Sequence, residues 1–173
     1  MAIKSAYIAG ECFWGMEDLF REQPGVTDTE AGYTGGDNES PTYENHPGHA
    51  ETIKVIYNDT RTNYRNILDF FFRTHDPTTK DRQGGDVGSG YRSAIFYESP
   101  QQLKDAKDLI AITNASGMYK NPVLTTLEPL KIFYSAEEYH QDYLRKHPGG
   151  YTCHFVRTDK SLLTSKRSVP IVN

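Results

Sequence analysis

The sequence predicts an α+β fold, with helices packed on a mixed β-sheet. Three observations carry this reading. Hydrophobic periodicity changes along the chain in the order strand, helix, strand, strand, helix, strand, helix, strand, helix. The 173 residues suffice for one buried core, and the two cysteines, Cys12 and Cys153, stand too far apart to make a disulfide scaffold in its place. Two Gly-containing stretches without periodicity, residues 34–49 and 78–90, interrupt the pattern and are long enough to be functional loops. The expectation is a single catalytic domain over residues 1–173, with 151–173 an extended C-terminal tail.

The elements follow in order. Residues 3–9 read as a short buried strand. Phe13, Met16, Glu17 and Phe20 recur at helical spacing, which predicts a helix over 13–23 that Pro24-Gly25 stops. Residues 26–33 make a second strand. After the first loop, Glu51, Ile53, Val55 and Tyr57 alternate with Thr52, Lys54 and Ile56, a strand whose inward face includes Glu51. Tyr64, Ile67, Leu68, Phe71, Phe72 and His75 form a helical stripe, read as core, that ends before Pro77. Residues 94–97 return to strand. Ser99-Pro100-Gln101-Gln102 has Ser at the cap, Pro at the first helical position and Gln three residues after the Ser, opening a helix over 100–116 that ends at Gly117. A strand is expected over 124–127. Ser135-Ala136-Glu137-Glu138 reads as a second capping box, opening a helix to Lys146 before Pro148-Gly149-Gly150. From Tyr151 onward the chain is a polar tail.

Composition narrows the function. A net charge of −4 without a basic run argues against nucleic acid as a partner. No apolar stretch reaches the length of a membrane span, and Met1-Ala2-Ile3-Lys4 lacks the apolar run of a signal peptide. The expectation is a cytoplasmic protein that uses sulfur for catalysis. Gly84, Gly85, Gly88 and Gly90 lack the spacing of a phosphate cradle, and no Gly-Lys-Ser/Thr follows them. His46-Pro47-Gly48-His49, taken with Cys12, has no diagnostic metal-ligand spacing, so no metal is expected.

Cys12 is where the chemistry concentrates. At a strand-to-helix turn, unpaired backbone N–H groups and the positive end of the helix dipole favour a thiolate. Phe13 and Trp14, the one Trp of the chain, set apolar aromatic surface beside it. Such a pair suits a substrate with a small apolar group next to an electrophilic atom. Glu51 faces the interior, where desolvation raises a carboxyl pKa toward the range of a general acid. A thiolate attacking electrophilic sulfur needs a proton for the departing oxygen and would be left as a sulfenic acid, which condenses with a second thiol. Two other readings of the same residues stay open: a Cys/His hydrolase using Cys12 with His49, His75 or His140, and a non-enzymatic, aromatic-rich binding module with an inert Cys12.

Gly10-Glu11-Cys12-Phe13-Trp14-Gly15 resembles the Gly-Cys-Phe-Trp-Gly signature of the A-type peptide methionine sulfoxide reductases, with Glu11 in place of the first Gly. A carboxylate there opposes thiolate formation on Cys12. The resemblance continues through Tyr43, Gly48-His49-Ala50-Glu51, Gln83-Gly84-Gly85-Asp86, Tyr91-Arg92-Ser93 and the stretch 137–143, and spans roughly residues 3–155. It implies a two-layer sandwich with a ferredoxin-like core. It also implies reduction of the S epimer of methionine sulfoxide, free or in proteins. In that reading Cys12 is the nucleophile and Glu51 the acid that protonates the sulfoxide oxygen. Tyr43 and Tyr91 assist by hydrogen bonding, Asp86 holds the polar network, and Phe13 and Trp14 receive the substrate methyl. Cys153, in Gly150-Tyr151-Thr152-Cys153, resembles a resolving thiol, and an external reductant, thioredoxin or a dithiol, replaces any bound cofactor.

Overall fold

The structure, a computed structural model, describes residues 2–10, 12–150, 152 and 154–163. The first strand, β1 (Ile3–Gly10), runs through the middle of the sheet, and its burial rises along its length until every residue after Ser5 is enclosed. Helix α1 (Phe13–Arg21) follows with Phe13, Met16, Glu17 and Phe20 on its inner side. It crosses to β2 (Val26–Thr34), and a return through the first loop leads to β3 (Ala50–Asn58). β3 pairs antiparallel with both β1 and β2, so it is inserted between them. This is a split β–α–β unit.

Helix α2 (Tyr64–Thr74) is capped by Asn63, whose side chain accepts from the Asn66 N–H at 2.8 Å. The second loop contains a two-stranded ribbon, β4 (Arg82–Gln83) with β5 (Asp86–Val87), and a 3-10 turn at Ser89–Tyr91. The Gln83 side chain is buried and accepts from the Asp76 N–H at 2.9 Å, which ties the ribbon to the end of α2. Strand β6 (Ser93–Tyr97) then pairs antiparallel with the other edge of β1. Helix α3 (Pro100–Ala115) starts as its sequence predicts, with the Ser99 side chain accepting from the Gln102 N–H at 3.1 Å. The Gln102 side chain reaches back to the Glu98 N–H, at 2.8 Å, one residue beyond the cap.

Strand β7 (Thr126–Pro129) starts two residues later than expected and pairs parallel with β6, which makes the sheet mixed. With β8 (Tyr134–Ser135) on the far edge, the order is β7-β6-β1-β3-β2-β8. The central four strands, β6-β1-β3-β2, have the ferredoxin-like arrangement. One face of the sheet packs against the helices through Ala6, Ile8, Ala31, Ile53, Val55 and Ile95, with Phe20, Leu68, Phe71, Phe72 and Leu109 opposite. Each fully buried large side chain there contributes about 1.5–3 kcal/mol. The other face is thinner: Tyr7, Ala9, Ala94 and Phe96 are covered by Leu130 and Phe133.

The last predicted helix is corrected by the structure. Ser135 belongs to β8, and its hydroxyl donates to Glu30 across the sheet edge instead of capping a helix. A 3-10 turn at Glu138–His140 follows, and only Tyr143–Lys146 (α4) is α-helical. Asp142, at φ 53°, takes the left-handed conformation that breaks any continuous helix. Long-range bonds outcompete the local ones: Glu137 is drawn to Tyr33 and Tyr43, and the Gln141 side chain bonds both the N–H and the carbonyl of Ala31 at 2.8 and 2.9 Å. The tail is not uniformly polar in its surroundings either, since His154 and Leu162 are both buried. Among the described residues no helix is long and apolar enough to cross a membrane.

Candidate active site

The split β–α–β topology brings four chain ends to one edge of the sheet. Strands β1 and β2 finish there, and β3 and β6 begin there, as the pairings Gly10–Ser93, Tyr33–Glu51 and Thr34–Ala50 show. Cys12 stands just past the end of β1, at the N-cap of α1, and is 8% exposed. Its side chain does not cap the helix, and the first N–H of the helix, that of Phe13, donates instead to Glu51 Oε1 at 3.3 Å. Glu51 is 1% exposed, on the face of β3 that also carries Ile53 and Val55. A helix start therefore supplies both the thiol and a donor to the carboxyl.

Tyr43 and Tyr91 arrive from the two long loops, and their hydroxyls come close enough to influence each other's ionisation. Burial raises the pKa of both. The nearby charges of Glu51 and Cys12 raise both further, Asp86 adds to the same effect, and the Tyr91 hydroxyl partly offsets the rise at Tyr43. Both phenols therefore remain protonated donors near neutral pH. The Tyr43 ring lies 6.5 Å from that of Phe13, whose N–H holds Glu51, and both phenols feel the charges of Cys12, Glu51 and Asp86. Asp86 comes from the β4–β5 ribbon and Tyr91 from the 3-10 turn behind it.

The aromatic side is larger than Phe13 and Trp14 alone. Phe13 is fully buried, with its ring centroid 5.5 Å from Tyr33 and 5.1 Å from His140. Trp14 is half-buried and stacks on Tyr143 at 3.7 Å, with planes 9° apart, and lies nearly parallel to Tyr43 at 6.3 Å. Its indole Nε1–H donates to His140 Nδ1 at 2.9 Å. His140 is 1% exposed, and burial lowers its pKa against the pull of Glu137. Glu137 accepts from the Tyr33 hydroxyl at 2.9 Å and the Tyr43 N–H at 3.1 Å. Burial would raise its carboxyl, but these bonds and that from its own backbone N–H outweigh the effect and lower it. Sequence reasoning noticed the stretch 137–143 and named His140 only as a partner for Cys12 in the hydrolase alternative, and it assigned neither Glu137 nor Tyr143 to the site. The signal was its density of rings and carboxylates, masked by the expectation of a regular helix.

The histidines do not assemble a Cys/His hydrolase. His49 accepts from the Gly36 N–H at 3.1 Å and donates to the Asn38 carbonyl at 2.9 Å, so both ring nitrogens are engaged. His75 donates to the Phe71 carbonyl and accepts from the Ser93 hydroxyl, both at 2.8 Å, and burial lowers its pKa to about 3. His140 accepts from Trp14 at Nδ1, which leaves its proton on Nε2, 4.0 Å from Glu137. Among the described residues no group of three or more His, Cys, Asp or Glu side chains could hold a metal ion. Glu11 and Cys153 lie outside the described residues.

Comparison with known proteins gives this constellation a family. The family model for peptide methionine sulfoxide reductase matches residues 4–169. The chain belongs to that family. The reductase is 55% identical over 159 residues to peptide methionine sulfoxide reductase MsrA of Nocardia farcinica, covering 92% of this chain and 94% of the relative. Its fold superposes on Mxr1 of Saccharomyces cerevisiae in reduced form with a TM-score of 0.83 and 36% identity, over 90% of this chain and 93% of that one. Mxr1 in complex with Trx2 is similar to the reductase with a TM-score of 0.63 and 30% identity, over 90% and 91% of the two chains.

Proposed function

We propose that the enzyme reduces the S epimer of methionine sulfoxide, free or within oxidised proteins, with Cys12 as nucleophile. The observation that carries the mechanism is the buried Glu51 carboxyl held by the Phe13 N–H at the helix start that bears Cys12. The helix N-terminus favours the Cys12 thiolate, which attacks the sulfoxide sulfur. Glu51 delivers a proton to the sulfoxide oxygen, and the Tyr43 and Tyr91 hydroxyls hold that oxygen as negative charge develops on it. Asp86 steadies the polar network from the ribbon side. The substrate methyl lies against Phe13 and Trp14. Attack joins the Cys12 sulfur to the substrate sulfur, and protonation makes the substrate oxygen a hydroxyl. The substrate sulfur–oxygen bond and the new sulfur–sulfur bond then break as the hydroxyl passes to Cys12. Methionine leaves and Cys12 becomes a sulfenic acid: the substrate sulfur is reduced and the enzyme sulfur oxidised.

Cys153 then attacks the Cys12 sulfenic acid. A Cys12–Cys153 disulfide forms, and the hydroxyl departs as water with the proton of the Cys153 thiol. Thioredoxin or another dithiol restores both thiols by exchange and requires no bound cofactor. That a relative has been solved in complex with Trx2 supports thioredoxin as the physiological reductant. A reducing compartment, the cytoplasm, would keep the pair ready, and the whole chain would act as one catalytic domain.

A single turnover with racemic methionine sulfoxide and no added reductant tests the scheme, followed by epimer analysis and intact mass. Loss of the S epimer alone, with the enzyme lighter by about 2 Da, is expected. S-epimer loss with the enzyme heavier by about 16 Da would retain Cys12 chemistry and remove Cys153 as the resolving thiol. Unchanged sulfoxide would overturn the whole reading.

A further inference from the structure

Arg92 stands between Tyr91 and β6, and the mechanism gives it no part. It closes the 3-10 turn Ser89–Tyr91, where its backbone N–H donates to the Ser89 carbonyl at 3.3 Å. Its side chain is 13% exposed, and all three guanidinium nitrogens are engaged. Nε and Nη2 bond the two carboxylate oxygens of Glu128, each at 3.1 Å, in a fork that a planar guanidinium makes and an ammonium does not. Nη1 donates to two carbonyls, that of Ser89 at 2.9 Å and that of Gly48 at 3.1 Å. Burial would raise the Glu128 carboxyl, but the bonds from Arg92 and Thr126 outweigh it and lower its pKa, so Glu128 is ionised at pH 7. Glu128 belongs to β7, in register with Phe96 of β6, and this anchors the fork to the sheet. A Cβ atom at Gly35, whose φ is 91°, would lie 2.7 Å from Nη2, so that glycine makes room for the guanidinium.

The two carbonyls belong to different loops. Gly48 lies three residues before Glu51 in the first, and Ser89 two residues before Tyr91 in the second. The segments 44–48 and 88–91 together line the recess beside Tyr91. We propose that Arg92 is a positioning residue for sulfoxide reduction: anchored by Glu128, it staples the Gly48 and Ser89 carbonyls together and so fixes Tyr91 relative to Glu51. The inference rests on the reductase reading, in which both groups act on the sulfoxide oxygen. One rigid cation shared by two carbonyls keeps the donor aimed before substrate arrives, and a small misplacement at that oxygen is costly.

The test is a double-mutant cycle on methionine formation, measured in single turnover without reductant. Arg92→Lys keeps the charge and loses the fork. It should slow methionine formation about as much as Tyr91→Phe, up to about tenfold. In the Tyr91→Phe background the same Arg92→Lys change should cost less than about twofold, because the hydroxyl it aims is gone. Glu128→Gln keeps one anchoring oxygen and should show the same pattern with a loss of about threefold. A wild-type rate in Arg92→Lys would overturn the proposal, as would an equal loss in both backgrounds, which marks a general structural role. The staple can also be read without chemistry. The Tyr91 N–H, which donates to the Gly88 carbonyl at 3.0 Å, should exchange with deuterium about tenfold faster in Arg92→Lys. Unchanged exchange would overturn the staple whatever the activity. A wild-type enzyme that forms no methionine would instead show that the underlying reductase reading has failed.

Discussion

The two ends of the β-sheet both gather carboxylates and tyrosines, and they handle them in opposite ways. At the Cys12 end, Glu51 is enclosed, accepts from the Phe13 N–H and has two protonated phenols close enough to feel its charge. At the other end a hollow of ≈ 660 Å³ is lined by Lys4, Tyr57, Asp59, Tyr64, Glu98 and Asp105, among others. There Asp59 pairs with Lys4 at 3.6 Å, and Asp105 with Arg65 at 3.4 Å. The recess beside Tyr91 at the reactive end is smaller, at ≈ 410 Å³. Size therefore does not mark the chemistry. At the far end the Ala2 N–H, with Lys4 beside it, holds the Asp59 carboxyl below the ordinary carboxylate range, whereas the Glu51 carboxyl is buried at the start of a helix.

That contrast is open to test, starting with the largest expected effect. Cys12→Ser should abolish turnover in a coupled thioredoxin assay; substantial remaining activity would sink the thiol mechanism. Glu51→Gln should slow the sulfoxide-reducing step about a hundredfold while iodoacetamide still alkylates Cys12. Equal single-turnover rates for mutant and wild type would remove Glu51 as the acid. Tyr43→Phe or Tyr91→Phe should each cost up to about tenfold in kcat/KM, the worth of one ordinary hydrogen bond. Because the two hydroxyls influence each other's ionisation, the double variant should depart from additivity.

A pH experiment reads the interior between the two ends. His75 and His154 have pKa values lowered by burial to about 3 and about 4, below the ordinary value of 6.5. The folded protein thus binds fewer protons than the unfolded chain between those values, and stability falls as pH drops below 6.5. The slope is at most about 1.4 kcal/mol per pH unit for each ring. His154→Gln should flatten part of it in thermal melts between pH 6.5 and 4, and an unchanged slope would show that His154 is not neutral in its buried seat. The smallest effect is expected at the far end, where Glu98→Gln should leave kcat/KM within about twofold of wild type, as for most exposed substitutions. A large loss there would break the division of labour between the two ends.

Much of the fold was legible because its elements are written in local patterns. The 3.6-residue stripe at Phe13, Met16 and Phe20, the alternation from Glu51 to Tyr57, and the cap at Ser99-Pro100 all name their elements without reference to distant residues. The inward orientation of Glu51 was equally legible, since strand parity decides it once Ile53 and Val55 face the core. The stretch 135–146 was misread because Ser135 and Glu138 satisfy a capping rule that is only local. The bonds that won, Glu137 to Tyr33 and Tyr43 and Gln141 to Ala31, connect residues about a hundred positions apart, which no periodicity records.

By itself the sequence determined the thiol at a strand-to-helix turn, the inward carboxylate and the motif order that belongs to the methionine sulfoxide reductases. Tertiary structure alone decided that Tyr43 and Tyr91, from two separate loops, come close to each other. It also decided that Trp14 is held by His140 and stacked on Tyr143, and that His154 reaches the Gly10 carbonyl from the far end of the chain. The physical reason is range. Helix and strand preferences act over a few residues, but the site exists only where the split β–α–β topology brings the ends of β1 and β2 and the starts of β3 and β6 to one edge of the sheet.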